Sequence, residues 1–233
     1  MQKYKQYCPV ARASEILADR WTPLIVRELM AGSRRFNQIE RGLPGISRSL
    51  LASRLRDLEA SGVVDRTCPP RSRLAEYQLT DAGRDLKRVI EALGAWGVAW
   101  AFGEPAPEEL DAGLLIWKMH QRINRELLPE ARTVVEFDFT GLRARRVWLL
   151  LERREVSVCV TPPGFDSDLV VHADLAFFYR VWLCQVDYHA ALRSGDVVVD
   201  GVPALAKQLP RWLMWSAMAP FVRERLDYSP ARI

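Results

Sequence analysis

The chain has 233 residues, about half of them apolar, and a net charge of +4. That is enough for one large or two modest domains with a proper core. The start, MQKYKQYCPV, is polar and basic rather than leader-like, no run approaches 18 uninterrupted apolar residues, and the four cysteines lack CxxC spacing. These features argue against a membrane span, a zinc site and a disulfide framework, and for a cytoplasmic protein with reduced thiols.

In chain order, the first part reads as helices followed by a hairpin. Residues 11–20 carry Ile16 and Leu17 among charges. In TPLIVRELMAG, Thr22 is placed to cap a helix beginning at Pro23, with Leu24, Ile25, Val26 and Leu29 on its buried side and Gly32 at its end. RRFNQIERGLPG predicts a short helix broken by Gly42, Pro44 and Gly45. Ser47 then caps a helix within GISRSLLASRLRDLEASGVV. Leu51, Leu55 and Leu58 fall on one stripe, Leu50 lies alongside, and Gly62 stops the helix. VVDRT and AEYQLT read as two short strands around the Pro- and Arg-rich connector CPPRSRL. Thr80 caps a last helix that reaches Trp96 or Trp100. This order makes a winged helix-turn-helix, in which the Ser47-capped helix enters the major groove of DNA and the connector is the wing.

GEPAPEELDAG, from Gly103 to Gly113, combines prolines with acids after an aromatic segment and marks a boundary. The expected domains are 1–102 and 113–233, with a linker over 103–112. Beyond it, GLLIWKMHQRINREL predicts a helix with Ile116, Met119, Ile123 and Leu127 on one side. TVVEFDF alternates, with Val135, Phe137 and Phe139 on one face. RVWLLLE is apolar on both faces, and EVSVCVT places Val156, Val158 and Val160 inward. DLVVHA and DVVVDG are further strands. DLAFFYRVWLCQVDYHAAL between them is helical, as is ALAKQLPRWLMWSAMAPF after the last strand. Strands first and helices late make the whole an α+β chain.

Charge supports the assignment of roles. Residues 1–102 carry 17 Lys and Arg against 11 Asp and Glu, while residues 103–233 carry 16 against 18, so the first domain is the one suited to a polyanion. On the Ser47-capped helix the leucines commit one side to the core. Arg48, Ser49, Ala52, Ser53 and Arg56 are left on or near the open side, where arginine can pair with guanine and serine can donate or accept. Arginines before the helix and on the wing are placed for phosphates, which sets affinity rather than sequence choice. The expected DNA-contacting set is Arg34, Arg35, Ser47, Arg48, Ser49, Ser53, Arg54, Arg56, Arg71 and Arg73.

The first domain resembles the HxlR family of bacterial winged-helix transcription regulators. The resemblance runs from Tyr7 to about Gly97. It is carried by Cys8-Pro9-Val10, Asp19-Arg20-Trp21-Thr22, Arg35-Phe36, Gly45-Ile46-Ser47, Arg54-Leu55 and the Leu79-Thr80…Gly83 turn. It implies a homodimer on a roughly two-fold double-stranded DNA operator, with the terminal helices as interface. Arg48, Ser49 and Ser53 occupy positions that vary within the family, so the operator sequence does not carry over. Trp21 and Trp96 are core or dimer-interface residues, ligand contact being the other use. Members of this family sometimes sense oxidants with an N-terminal cysteine. Cys8, with Lys3, Lys5 and Arg12 nearby to favour the thiolate, is the candidate here, a small buried hydrophobe being the other reading.

The second domain has no nucleophile–base–acid constellation, no cofactor motif and no metal-ligand spacing. His120, His172 and His189 are scattered, and Asp166, Asp168 and Asp174 suit turns and helix caps, so the expectation is no enzyme and no cofactor or metal. Residues from about Val134 to Pro220 resemble the sterol carrier protein type two fold, through the FTG turn, the RVWLLLERREVSVCV hairpin and ALRSGDVVVDGVPALAKQLPRWL. That resemblance implies a five-stranded sheet covered by helices around an apolar tunnel. Phe177, Phe178, Trp182, Trp212 and Trp215 then line a pocket for an apolar effector, or else are simply core. Two functions remain open: a ligand-responsive transcription regulator, and a small-molecule or lipid carrier with a winged-helix interaction module.

Overall fold

A computed structural model describes residues 4–69 and 74–227, which form two units dividing between Leu93 and Gly94. The first contains α1 (Pro9–Leu17), α2 (Thr22–Met30), α3 (Phe36–Arg41), α4 (Arg48–Ala60), the strands β1 (Val64–Thr67) and β2 (Glu76–Leu79), α5 (Asp81–Asp85) and the start of α6 (Lys87–Trp100). Trp21 takes the N-cap position of α2, so Thr22 is the first helical residue rather than the cap. Ile25, Leu29, Ile39, Leu51, Leu55 and Leu58 fill one apolar core. Ser47 Oγ accepts from Leu50 N at 3.3 Å and starts α4. Gly62, with φ +71°, turns the chain into β1.

The hairpin pairs Val64 with Leu79 and Thr67 with Glu76. Its other edge is also used: Tyr77 N donates to Arg34 O at 2.8 Å, and Arg35 bridges Glu76. Thr80 then joins three segments. Its Oγ1 donates to Gly62 O at 2.7 Å and accepts from Gly83 N at 3.1 Å, capping α5. A Cβ at position 83 would lie 2.2 Å from Val63 O, so only glycine fits this close approach. The helix expected from Thr80 to Trp96 or Trp100 is interrupted at Leu86 and runs as α5 and α6.

The second unit holds α7 (Ala112–His120), β3 (Thr133–Thr140), β4 (Arg145–Leu151), β5 (Val156–Cys159), β6 (Leu169–Asp174), α8 (Leu175–Trp182), α9 (Tyr188–Ser194), β7 (Val197–Gly201), α10 (Pro203–Trp212) and α11 (Ala219–Asp227). The sheet order is β5-β4-β3-β6-β7; β3 and β6 run parallel and the other neighbours antiparallel. Val135, Phe137 and Phe139 point into the core as their alternation requires. Phe137, Phe139 and Phe178 meet with ring centroids 5.4–5.8 Å apart. The opposite face is polar, with Arg146 bridging Glu136 and Asp138 at 3.5 and 3.3 Å.

Several elements are shorter than periodicity predicts. The helix expected over 113–127 ends at His120 because the chain turns to bridge Ile123 with Leu213. Leu127 is consequently exposed, and Leu128 takes the buried place. The same bridge closes α10, whose expected run to Phe221 stops at Trp212. The helix expected over 174–192 splits at Cys184, which adopts φ +60°, and restarts where Asp187 caps α9. Val160 lies beyond the end of β5 and is exposed rather than inward. The linker expected over 103–112 is not where the units divide. Residues 94–102 belong to the second unit instead, where Gly94, Gly97 and Ala101 line a small open cavity with Leu183, Met218 and Val222.

Candidate nucleic-acid interface

α4 is built as a two-sided rod. Leu51, Leu55 and Leu58 are 0–2% exposed, while Arg48, Ser49 and Arg56 are exposed, with Ala52 and Ser53 partly so between them. Thirteen residues at 1.5 Å each make a helix about 20 Å long. Its open face carries small and basic side chains. Ser47 stays at the surface while capping, and its Oγ lies 3.2 Å from Ser49 Oγ.

The arginines differ in how far they are committed within the unit. Arg56 is exposed and makes no ion pair among the described residues. Arg48 lies at the edge of the open face beside α3. Its guanidinium pairs with Glu40, reaches Asn37 Oδ1 at 3.4 Å and sits 4.9 Å from the centre of the Phe36 ring. Arg54, expected among the DNA-contacting residues, pairs with Asp19 and with Asp57 at 3.0 Å, its side chain 26% exposed. Its position, between Leu51 and Leu58 on the helix, flanks the buried stripe, so it braces α4 against the turn before α2.

Arg34 and Arg35 are exposed beside the hairpin, Arg35 Nε lying 3.4 Å from Glu76 Oε1. Gln38 Oε1 accepts from both of their backbone N–H groups, at 2.9 and 3.0 Å. Sequence reasoning did not single out Gln38, although a Gln at the third residue of a helix is the usual sign of such a reciprocal cap. Arg66 on β1 is exposed and unpaired among the described residues, which adds a third basic group to this side. Arg71 and Arg73 lie outside the described residues.

The remaining candidates are dispersed. Cys8 is partly exposed and immediately precedes α1. Of the bases expected beside it, Arg12 is 3.3 Å from Glu15, and Lys3 lies outside the described residues. Phe178 and Trp212 are fully buried and consumed by the core. Phe177, Trp182 and Trp215 are half-buried against it, and of these Trp215 lines a cavity. Asp174 Oδ1 accepts from Phe177 N at 2.9 Å and caps α8, and Asp168 Oδ2 takes Val134 N at 2.7 Å. Among the described residues no three His, Cys, Asp or Glu converge as metal ligands, and no helix is long and apolar enough to cross a membrane.

Residues 16–104 match the HxlR-like helix-turn-helix family. The chain is 40% identical over 97 residues to YvaP, an HTH-type transcriptional regulator of Bacillus subtilis, covering 41% of this chain and 90% of that protein. It is 47% identical over 103 residues to Mb3122, an HTH-type transcriptional regulator of Mycobacterium bovis, covering 42% of this chain and 61% of the relative. Among solved structures, the reduced form of the transcriptional regulator YodB from B. subtilis is 34% identical, covering 41% of this chain and 96% of that one, with a TM-score of 0.37. The family and these relatives are transcriptional regulators, not enzymes. With residues 16–104 matched by the family and a relative 40% identical over nine-tenths of its length, the chain belongs to the HxlR-like helix-turn-helix family.

Proposed function

We propose that this protein is a DNA-binding transcriptional regulator that grips a pseudo-palindromic operator as a homodimer. The observation that carries the reading is the division of α4 into a leucine side and an open Arg/Ser side. Ser49, Ser53 and Arg56 face bases together with Arg48, while Arg34, Arg35, Arg66 and the wing residues Arg71 and Arg73 contact phosphates. The dimer is supported by α6, none of whose residues is buried. Val89, Leu93, Trp96 and Trp100 are 48–77% exposed at spacings of four, three and four, one continuous apolar stripe. Two copies of α4 then sit about one or two DNA turns apart.

The second unit serves as an effector domain. Its five-stranded sheet and the helices packed on it support the sterol-carrier-like reading, and an effector acts by binding DNA-competent and incompetent states with different affinity. The test is fluorescence anisotropy with a duplex enriched from a randomised pool, a random duplex as competitor, at two salt concentrations. Specific binding at least about 1000-fold tighter than random is expected. A preference no better than nonspecific, with Kd around 10⁻⁴ to 10⁻⁶ M, would instead favour a carrier with a winged-helix interaction module.

A further inference from the structure

The second unit carries an open cavity of about 540 Å³ among α8, α9, α10 and α11, a volume in the range of small-molecule sites. It borders the core of this unit, to which Val181 and Tyr188 in its wall belong. One wall is aromatic: Tyr188 and Trp215 stand with ring centroids 5.5 Å apart, beside Val181. Around it stand three cations, Lys207, Arg211 and Arg223. Lys207 and Arg211 are four residues apart on α10 and so share one face of it, and all three cations are exposed at the cavity's rim.

Among the described residues none of the three makes an ion pair, and the contact Arg223 has is a hydrogen bond from Nη2 to Cys184 Sγ at 3.2 Å. Asp187, the one carboxylate in the wall, is already engaged, accepting from Ala190 N at 2.8 Å as the cap of α9. Tyr188 is 4% exposed, and its hydroxyl has no hydrogen-bond partner. A buried phenol hydroxyl in that state is unusual, and the ring rather than the hydroxyl is what Tyr188 presents to the cavity.

We propose that this cavity binds a small organic anion with an apolar, preferably aromatic, body. The carboxylate meets Lys207, Arg211 and Arg223, and the body lies against Tyr188 and Trp215. This deepens the effector half of the reading above and rests on it for the regulatory consequence alone. Binding is measured without DNA, so failure here leaves operator recognition standing, and failure of operator recognition leaves this site standing.

The experiment is calorimetric titration of the full-length protein with 2-naphthoate, with its neutral isostere 2-naphthamide, and with acetate. Naphthoate is expected to bind saturably. Naphthamide should bind at least about tenfold more weakly, the loss of a charge-assisted contact, and acetate not measurably. Lys207→Gln and Arg211→Gln should each weaken naphthoate by about fivefold or more without altering naphthamide, at unchanged unfolding temperature. Equal affinities for naphthoate and naphthamide, no naphthoate binding at millimolar concentration, or undiminished binding in the Lys207→Gln/Arg211→Gln double variant would each overturn the proposal. So would a double variant whose sole defect is weaker binding to random DNA, which would assign these cations to phosphates.

Discussion

Arg48 is shared between α3 and whatever α4 meets, and replacing Glu40 with glutamine measures how that sharing is balanced. The Arg48 side chain is 66% exposed and that of Glu40 27%. A pair so open to solvent contributes below about 1 kcal/mol to folding, so releasing Arg48 toward DNA costs at most about fivefold in affinity. A two-bond contact from arginine to guanine supplies about 1–3 kcal/mol of discrimination, which exceeds that cost. Glu40→Gln should therefore strengthen operator binding by up to about fivefold and leave the unfolding midpoint within error. Arg48→Ala should weaken the operator by about 5- to 150-fold and random duplexes far less. Anisotropy titrations of both variants against operator and random DNA, at two ionic strengths, separate these effects. If Arg48→Ala weakened every duplex equally, its base-reading role would be refuted. If Glu40→Gln weakened the operator, Glu40 would be holding Arg48 in its reading pose rather than competing for it.

Gly83→Ala must displace the first turn of α5 from Val63 O, which a Cβ would approach at 2.2 Å. The expected loss is about 2 kcal/mol or more, visible as a fall of roughly 10 °C in thermal unfolding of the first unit; an unchanged midpoint would show that the turn relaxes freely. Burial pushes the phenols of Tyr179 and Tyr188 up to about 12. The unfolded chain releases these protons first, so both contribute full stability below pH 10 and lose it between pH 10 and 12. The urea midpoint should fall in that window, and less steeply in Tyr179→Phe/Tyr188→Phe. Leu93→Arg or Trp96→Glu in the exposed stripe of α6 should convert a dimer to a monomer by light scattering and abolish tight operator binding while α4 stays folded. A variant that remains dimeric would place the interface elsewhere.

The parts of the fold that alternate or repeat were readable in advance. Leucines at 51, 55 and 58 oriented α4, and the alternation in residues 133–139 oriented β3, because one buried face imposes its period on the sequence. What escaped depends on distant partners or rare backbone states. The break between α8 and α9 falls at Cys184, a left-handed residue with no glycine to announce it. The ends of α7 and α10 are set jointly by a bridge between Ile123 and Leu213, ninety positions apart in sequence and invisible to local pattern. At the site, the open face of α4 was legible, but the commitment of Arg54 was not, since Asp19 lies on another helix boundary altogether. The cations around Tyr188 and Trp215 come from α10 and α11, and only the folded chain gathers them.

The hydrogen bond from Tyr77 to the carbonyl of Arg34, with the bridge from Arg35 to Glu76, fastens the approach to α3 onto the hairpin. Gln38 ties that approach in turn to the first turn of α3, whose Phe36, Asn37 and Glu40 hold Arg48. Backbone clamps and one side chain thus make a short lever from wing to reading head. In the proposed complex, a duplex whose groove width tilts the hairpin would be felt at Arg48 without any base touching the wing, and the shape of flanking DNA would become part of what is recognised.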